Sequence, residues 1–505
     1  MSARREDRDM SEGSSYGDGG DTGAGGTGGD NGGTGVGEPP VHPDQEQVNA
    51  QVDALLRLQN FEDKRQTEDW IIDRRRVGDE RPEPGFRRVR LERVRRLTRE
   101  NELTDDDIIT VSREIIAPVP DSVADEDQRE RLREQLENFH LVERLCCDLA
   151  RYEIPDTDDT VATALQRLRA DGATVSANHL AALGNTSKGG DTPADTTREP
   201  RLLASEAGEP STGAPLVVVI DTGLDIDVQA RTDAFLDDIV AGPHDRDRKN
   251  EVTDATGQPP ADDFLDRAAG HGTFVAGIIR QVEPEARVVM LRALDTEGMG
   301  GEDMIATAIC WSRTIFEQHG GRGVLNLSLG IETIDDLPPL AIECALRELP
   351  PGVVVVAAAG NEPSRRPLWP AAHKRVLAVG GLCDDLSPSA WSNRGGFVDF
   401  STRGEGIVST FVEGNEAERD GDPPASFFGQ TAYATWTGTS FSAPQVAAQI
   451  AGLIANLGPD DPVEIAVQQL RQAGTYTPDW GYVLDILPPA NPPLVCSRER
   501  LRAEA

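Results

Sequence analysis

Lysine is nearly missing from this 505-residue chain: Lys64, Lys188, Lys249 and Lys374 stand beside 46 arginines. Acidic residues outnumber basic ones by 87 to 50, giving a formal charge of −37. That sign repels nucleic acid and anionic membranes and excludes both as main partners. A GC-rich genome, whose codons favour arginine, accounts for the imbalance more simply than a salt-adapted surface. Long apolar runs are lacking too. The longest, residues 353–359, is far too short to cross a bilayer and suits a buried strand. Charge crowds the first nine residues and no useful apolar run follows, so no secretory signal is read and a cytoplasmic location is expected. Cysteine is sparse, with six residues at 146, 147, 310, 344, 383 and 496 in no framework spacing. Cys146 and Cys147 fall in a helix-like run and are expected to be reduced core residues rather than disulfide partners.

Length and composition divide the chain. Residues 1–43, rich in Gly, Asp, Thr and Ser, form a disordered tail that cannot repay the entropy of ordering. Residues 44–183 are globular. The pattern predicts strands at 108–111 and 114–117, a helix through Leu141, Val142, Leu145, Cys146 and Leu149, and another through Val161, Ala164, Leu165 and Leu168. Eleven arginines between Arg74 and Arg99 are interleaved with acids and read as a solvated, internally paired surface. Residues 184–213 read as an exposed linker. From 214 to 486, apolar runs at 216–220, 287–291, 324–327, 353–359 and 376–379 alternate with helical segments at 305–316, 340–349 and 440–454. That alternation predicts an α/β fold, a mostly parallel sheet with helices on both faces, preceded by a small α+β domain. Residues 487–505 form a C-terminal tail.

Three glycine-flanked segments carry the chemistry: Asp221-Thr222-Gly223 after an apolar run, Gly270-His271-Gly272-Thr273, and Gly438-Thr439-Ser440. Acyl transfer by serine needs a nucleophile, a base to take its proton and a carboxylate to hold the base. Ser440, His271 and Asp221 supply them. Six other histidines (42, 140, 179, 244, 319 and 373) lack a comparable setting. In an open α/β sheet, groups at the carboxyl ends of strands converge on one crevice, so all three can meet there. Asp225 and Asp227 lie past the turn and are expected to be surface acids.

With these motifs, and with residues 353–362 ending in Ala359-Gly360-Asn361-Glu362, the chain resembles the subtilisin-like serine proteases, the subtilases, over roughly residues 214–486. The resemblance implies a serine endopeptidase acting on protein or peptide substrates, with Asn361 in the oxyanion hole. It implies substrate contacts from Gly298, Met299 and Gly300 as a strand that pairs with the substrate. Ser328, Leu329 and Gly330, with Ala359 and Gly360, would line the specificity pocket. Residues 277–284 run on without the insertion that builds a calcium site in many secreted members, and the acidic loop 245–266 reads as solvated, so neither metal nor cofactor is expected. Residues 413–424 look like an insertion. Many subtilases carry an inhibitory propeptide; here residues 108–183 are of suitable size, and Thr174 to Leu180 could lie against Gly298 to Gly300. That domain is then a candidate inhibitor cut by the enzyme itself. An interaction module is the plainer alternative, and a non-catalytic binding protein on a protease fold is the rival for the whole chain. Oligomeric state is not readable.

Overall fold

The computed structural model describes residues 91–98, 101–155, 160–183, 214–225, 268–296, 298–416, 425–427 and 433–490, with short pieces between them and Cys496. The tail expected over 1–43 and the linker over 184–213 lie outside the described residues, as does most of the arginine-rich stretch.

The N-terminal domain runs β1 (Leu91–Leu97), β2 (Leu103–Pro118), α1 (Glu126–Leu136), β3 (His140–Arg144), β4 (Leu149–Glu153), α2 (Val161–Ala170) and β5 (Ser176–Ala182). Its strands pair antiparallel in the order β5-β2-β4-β3, with β1 also on β2. Ile115 and Ala117 of β2 pack with Val161, Leu165 and Leu168 of α2 in one core. Asp125 caps α1 by accepting from Gln128 N, and Thr160 and Thr163 form a capping box on α2. Two expectations are corrected here. The two short strands are parts of one 16-residue strand, β2, which turns at Arg113 (φ 59°). The run from Leu141 to Leu149 is not a helix but the β3–β4 hairpin. Its turn residues Cys147 and Asp148 take φ of 61° and 56°, a left-handed pair that a right-handed helix cannot contain.

The second domain comprises β6 (Leu216–Asp221), β7 (Val240–Ala241), α3 (His271–Val282), β8 (Arg287–Arg292), β9 (Met299–Gly301), α4 (Glu302–Gln318), β10 (Arg322–Leu327), β11 (Gly330–Ile331), α5 (Leu340–Glu348), β12 (Gly352–Ala358), β13 (Val376–Leu382), β14 (Val398–Arg403), β15 (Ile407–Thr410), β16 (Gly414–Glu416), β17 (Ala425–Phe427), β18 (Tyr433–Trp436), α6 (Thr439–Ala455), α7 (Glu464–Ala473), β19 (Thr475–Thr477) and β20 (Gly481–Val483). Nine strands form one sheet in the order β19-β20-β14-β13-β12-β10-β6-β8-β7, parallel except for the β19–β20 pair. Successive strand side chains point to opposite faces, and both faces are covered. Val217 and Val219 of β6 pack with α3, α6 and α7, while Leu216, Val218 and Ile220 pack with α4 and α5. The expected fold class holds: a mostly parallel sheet with helices on both sides. The 413–424 insertion begins a hairpin, β16 on β17, whose tip is outside the described residues.

The two domains share a sheet. β5 lies between two short strands of the second domain, with Ala181 opposite Gly300 of β9 on one side and opposite Ile331 of β11 on the other. Buried ionic contacts reinforce the seam: Arg151 Nη1 to Asp303 Oδ2 at 2.9 Å and His179 Nδ1 to Glu302 Oε2 at 2.8 Å. Arg96 pairs with Glu332 at 2.5 Å and so joins β1 to the same rim.

Candidate active site

Asp221 ends β6 and His271 begins α3. Both are fully buried, and His271 Nδ1 lies 2.7 Å from Asp221 Oδ1, which also accepts from Thr222 N at 2.7 Å. The two motifs interlock through their threonines. Gly272 N donates to Thr222 Oγ1 at 3.0 Å, and Asp225 N donates to Thr273 Oγ1 at 2.9 Å. A Cβ on Gly272 would run into the carbonyl oxygen of Gly223, so helix and turn approach as only glycine permits. Gly272→Ala should therefore cost about 1–3 kcal/mol, the usual range for overpacking, and be visible as a lowered melting temperature.

The imidazole is packed edge-on to Trp436 and tilted against Phe441, each with ring centroids 5.3 Å away. Gly270 precedes it in a left-handed turn (φ 80°) and donates its N–H to Asp247 Oδ2 at 2.6 Å. Burial pushes the Asp247 carboxyl up to about 7, against the pull of the N–H donors of Lys249 and Gly270.

Ser440 lies in the first turn of α6, at the N-terminal end where backbone N–H groups lack helical partners. Its Oγ donates to Ser328 O at 3.3 Å, and Ser328 Oγ donates back to Ser440 O at 2.8 Å. Among the described residues, His271 Nε2 has no hydrogen-bond partner. The Asp–His half of the arrangement is thus closed and the His–Ser half open, a looseness common before substrate binds. Asn361 follows β12. Its Oδ1 accepts from both Thr439 N and Thr439 Oγ1 at 2.9 Å. A backbone N–H can only donate, so the Asn361 oxygen must face Thr439, which leaves Nδ2 as the donor on the far side.

The expected substrate residues gather on the same rim. Gly298, Met299 and Gly300 flank β5 on one side; Leu183 N donates to Gly298 O at 2.9 Å. Ser328 and Leu329 lie between β10 and β11, and Gly330 begins β11, opposite Ala182 on the other side of β5. Gly360 N donates to Thr439 Oγ1 at 3.1 Å, while the Ala359 N–H is taken within the sheet by Val379 O at 2.9 Å. Glu362 at the rim has a carboxyl pushed up to about 7, mainly by its low-dielectric surroundings and then by Glu332, with Arg96 opposing.

Three further expectations are corrected. Asp225 is buried, its carboxylate 3.0 Å from Lys249 Nζ, and is no surface acid. In the acidic loop, Asp245, Asp247 and Asp266 are likewise buried; Asp245 Oδ1 accepts from Arg292 N at 2.8 Å. Among the described residues the groups of metal-binding size are Cys146-Cys147-Cys310 and Cys383-Glu405-Cys496. In each, two sulfurs are bonded to one another, as Cys146–Cys310 and Cys383–Cys496. Cys146 is thus not the reduced core residue expected. The supporting roles of Thr439, Thr222, Ser328 and Trp436 were missed. The threonines stand inside the motifs, but nothing local says what their hydroxyls meet, and Trp436 carries no signal at all.

A family model described as the subtilase family matches residues 213–477, just over half of the chain. The chain belongs to the subtilase family. A thermophilic serine proteinase of Bacillus sp. (strain AK1) is 34% identical over 221 residues, covering 41% of this chain and 49% of that protein. Thermitase of Thermoactinomyces vulgaris is 30% identical over 235 residues, covering 42% of this subtilase and 75% of thermitase. The crystal structure of fervidolysin from Fervidobacterium pennivorans, described as a keratinolytic enzyme related to subtilisin, superimposes with a TM-score of 0.51 at 20% identity. That match covers 78% of this subtilase and 62% of fervidolysin, and shows a common fold. The chain spans about half the length of the Bacillus proteinase it matches. No helix among the described residues is long and apolar enough to cross a membrane.

Proposed function

We propose that this subtilase is a serine endopeptidase whose N-terminal domain occupies its own substrate cleft. The observation that carries the reading is the seating of β5 between β9 and β11, at the end of the sheet that holds Asp221, His271 and Ser440. β5 there makes the main-chain pairing an extended peptide substrate would make, by strand addition. Turning Ser440 Oγ from Ser328 O toward His271 Nε2 completes the relay. His271 takes the hydroxyl proton as Oγ attacks the scissile carbonyl, and Asp221 holds the Nδ1–H tautomer and stabilises the imidazolium. Asn361 Nδ2 and the Ser440 N–H donate to the oxyanion. His271 then protonates the departing amine, and water hydrolyses the acyl-enzyme by the same route.

β5 lies in the cleft and residues 184–213 follow it in sequence, so on this reading the first bond cut is the chain's own, within that stretch. The small side chains of Ala181 and Ala182 agree with recognition resting mainly on the backbone. The test compares intact mass and fluorophosphonate labelling of the wild type and Ser440→Ala. The reading expects labelling of the wild type alone, with a cut after Leu183 only where Ser440 is present. An unlabelled wild type, even after its N-terminal domain is removed, would make the molecule a binding protein on a protease fold.

A further inference from the structure

Four cysteines meet at the seam between the domains. Cys146 and Cys147 lie in the β3–β4 connection, Cys310 is on α4 and Cys344 on α5. Cys146 is bonded to Cys310, 164 positions away in sequence. Cys147 and Cys344, both free thiols, face each other across the same seam. Each of two adjacent cysteines on one domain thus meets a cysteine on one of two neighbouring helices of the other. The loop closed by the Cys146–Cys310 bond contains the whole of β5 and of residues 184–213. A chain cut anywhere in that segment remains one covalent molecule.

We propose that the Cys146–Cys310 bond is a redox latch that keeps the N-terminal domain on the cleft after the chain is cut, so that full activity requires reduction as well as cleavage. This rests on the reading of that domain as the occupant of the cleft. A cut but unlatched domain is held by the β5 pairings and the Arg151–Asp303 and His179–Glu302 contacts, and can leave on dilution. A tethered one rebinds at an effective concentration of the order of millimolar, far above any assay concentration of enzyme. The two disulfides differ in accessibility. Cys383 and Cys496 are buried (0% and 7% exposed), whereas Cys146 and Cys310 are only half-buried at the seam. A reductant therefore reaches the interdomain bond first.

Opening it takes a dithiol. One thiolate attacks a sulfur of the bridge and displaces the other cysteine as thiolate; the second thiol then closes on the mixed disulfide, leaving an oxidised dithiol and the Cys146 and Cys310 thiols. The Cys344 thiol is lowered by its hydrogen bond from Cys147 and by Arg347, and Cys147 Sγ lies within 4.8 Å of both sulfurs of the latch.

The test uses the full chain and trace trypsin, which has Lys188, Arg198 and Arg201 to cut within residues 184–213, followed by trypsin inhibitor. Ser440→Ala reads the latch apart from catalysis. Nicked and unreduced, its two fragments should run as one molecule on a non-reducing gel with two titratable thiols; dithiothreitol should raise these to four as the interdomain bridge opens and to six once the buried bridge follows, and the N-terminal fragment should leave on gel filtration at the first of these steps. Nicked wild type should hydrolyse casein at least tenfold faster with dithiothreitol than without, and Cys310→Ser should reach the faster rate on nicking alone. Cys496→Ser should behave as wild type, which separates the latch from the buried bridge. Fragments that part without reductant, equal activity in both states, or six free thiols holding a metal ion before reduction would overturn the proposal. If the Ser440→Ala fragments behave as expected but reduced wild type neither labels nor hydrolyses casein, the latch stands and the protease reading fails.

Discussion

Ser440→Ala protein, freed of its N-terminal domain, should hydrolyse casein about a million-fold more slowly than the wild type treated in the same way. In subtilisin, removing the nucleophile costs about that factor in kcat, and the residue left behind reflects binding and the oxyanion hole alone. Little of this loss can come from unfolding. Ser440 Oγ makes one hydrogen bond, at 3.3 Å to Ser328 O, and the Ser440 carbonyl keeps its bond from Ser328 Oγ when the hydroxyl is gone. The melting temperature should stay within a few degrees of the wild type, since an exchanged hydrogen bond is worth only about 1 kcal/mol. Activity within tenfold of the wild type, at matched stability, would remove Ser440 from the role of nucleophile.

Asn361→Asp should lose about 10²–10³ in kcat with KM little changed, because the missing donor acts on the oxyanion and not on the ground-state substrate. The substitution is nearly isosteric. One carboxylate oxygen can still accept from Thr439 N and Oγ1, so the loop stays in place. The other oxygen then presents a negative acceptor where the structure has a donor, which places the expected loss at the upper end of that range. Steady-state kinetics on a peptide substrate, with the N-terminal domain removed and the latch reduced, separate kcat from KM. A rise in KM at constant kcat would make Asn361 a substrate-binding residue instead.

The site was legible in the sequence to an uneven depth. Asp221, His271 and Ser440 each stand in a short motif whose glycines announce close backbone approach, and Gly272 against Gly223 is such an approach. Strands β6, β8, β10, β12 and β13 of the parallel sheet were legible because burial on both faces demands continuous apolar runs; β7, β14, β19 and β20 were not. The hairpin at 140–153 was not. Leu141, Val142, Leu145 and Leu149 fit a helical period, and only the left-handed pair at Cys147 and Asp148 decides against it. Asp225 and the acids at 245, 247 and 266 read as surface because charge in a loop normally is. Their burial depends on partners such as Lys249 and the Arg292 N–H, which no local pattern reveals.

By itself the sequence determined five strands and three helices of the second domain and the three chemical groups at its centre, because periodicity and glycine spacing are local properties of a chain. Which oxygen of Asn361 faces Thr439, which rings hold His271, and which cysteines meet were decided only by the tertiary structure. So was the seating of β5 between β9 and β11, since hydrogen-bonding edges are alike in every strand and only the packed domains bring these three together.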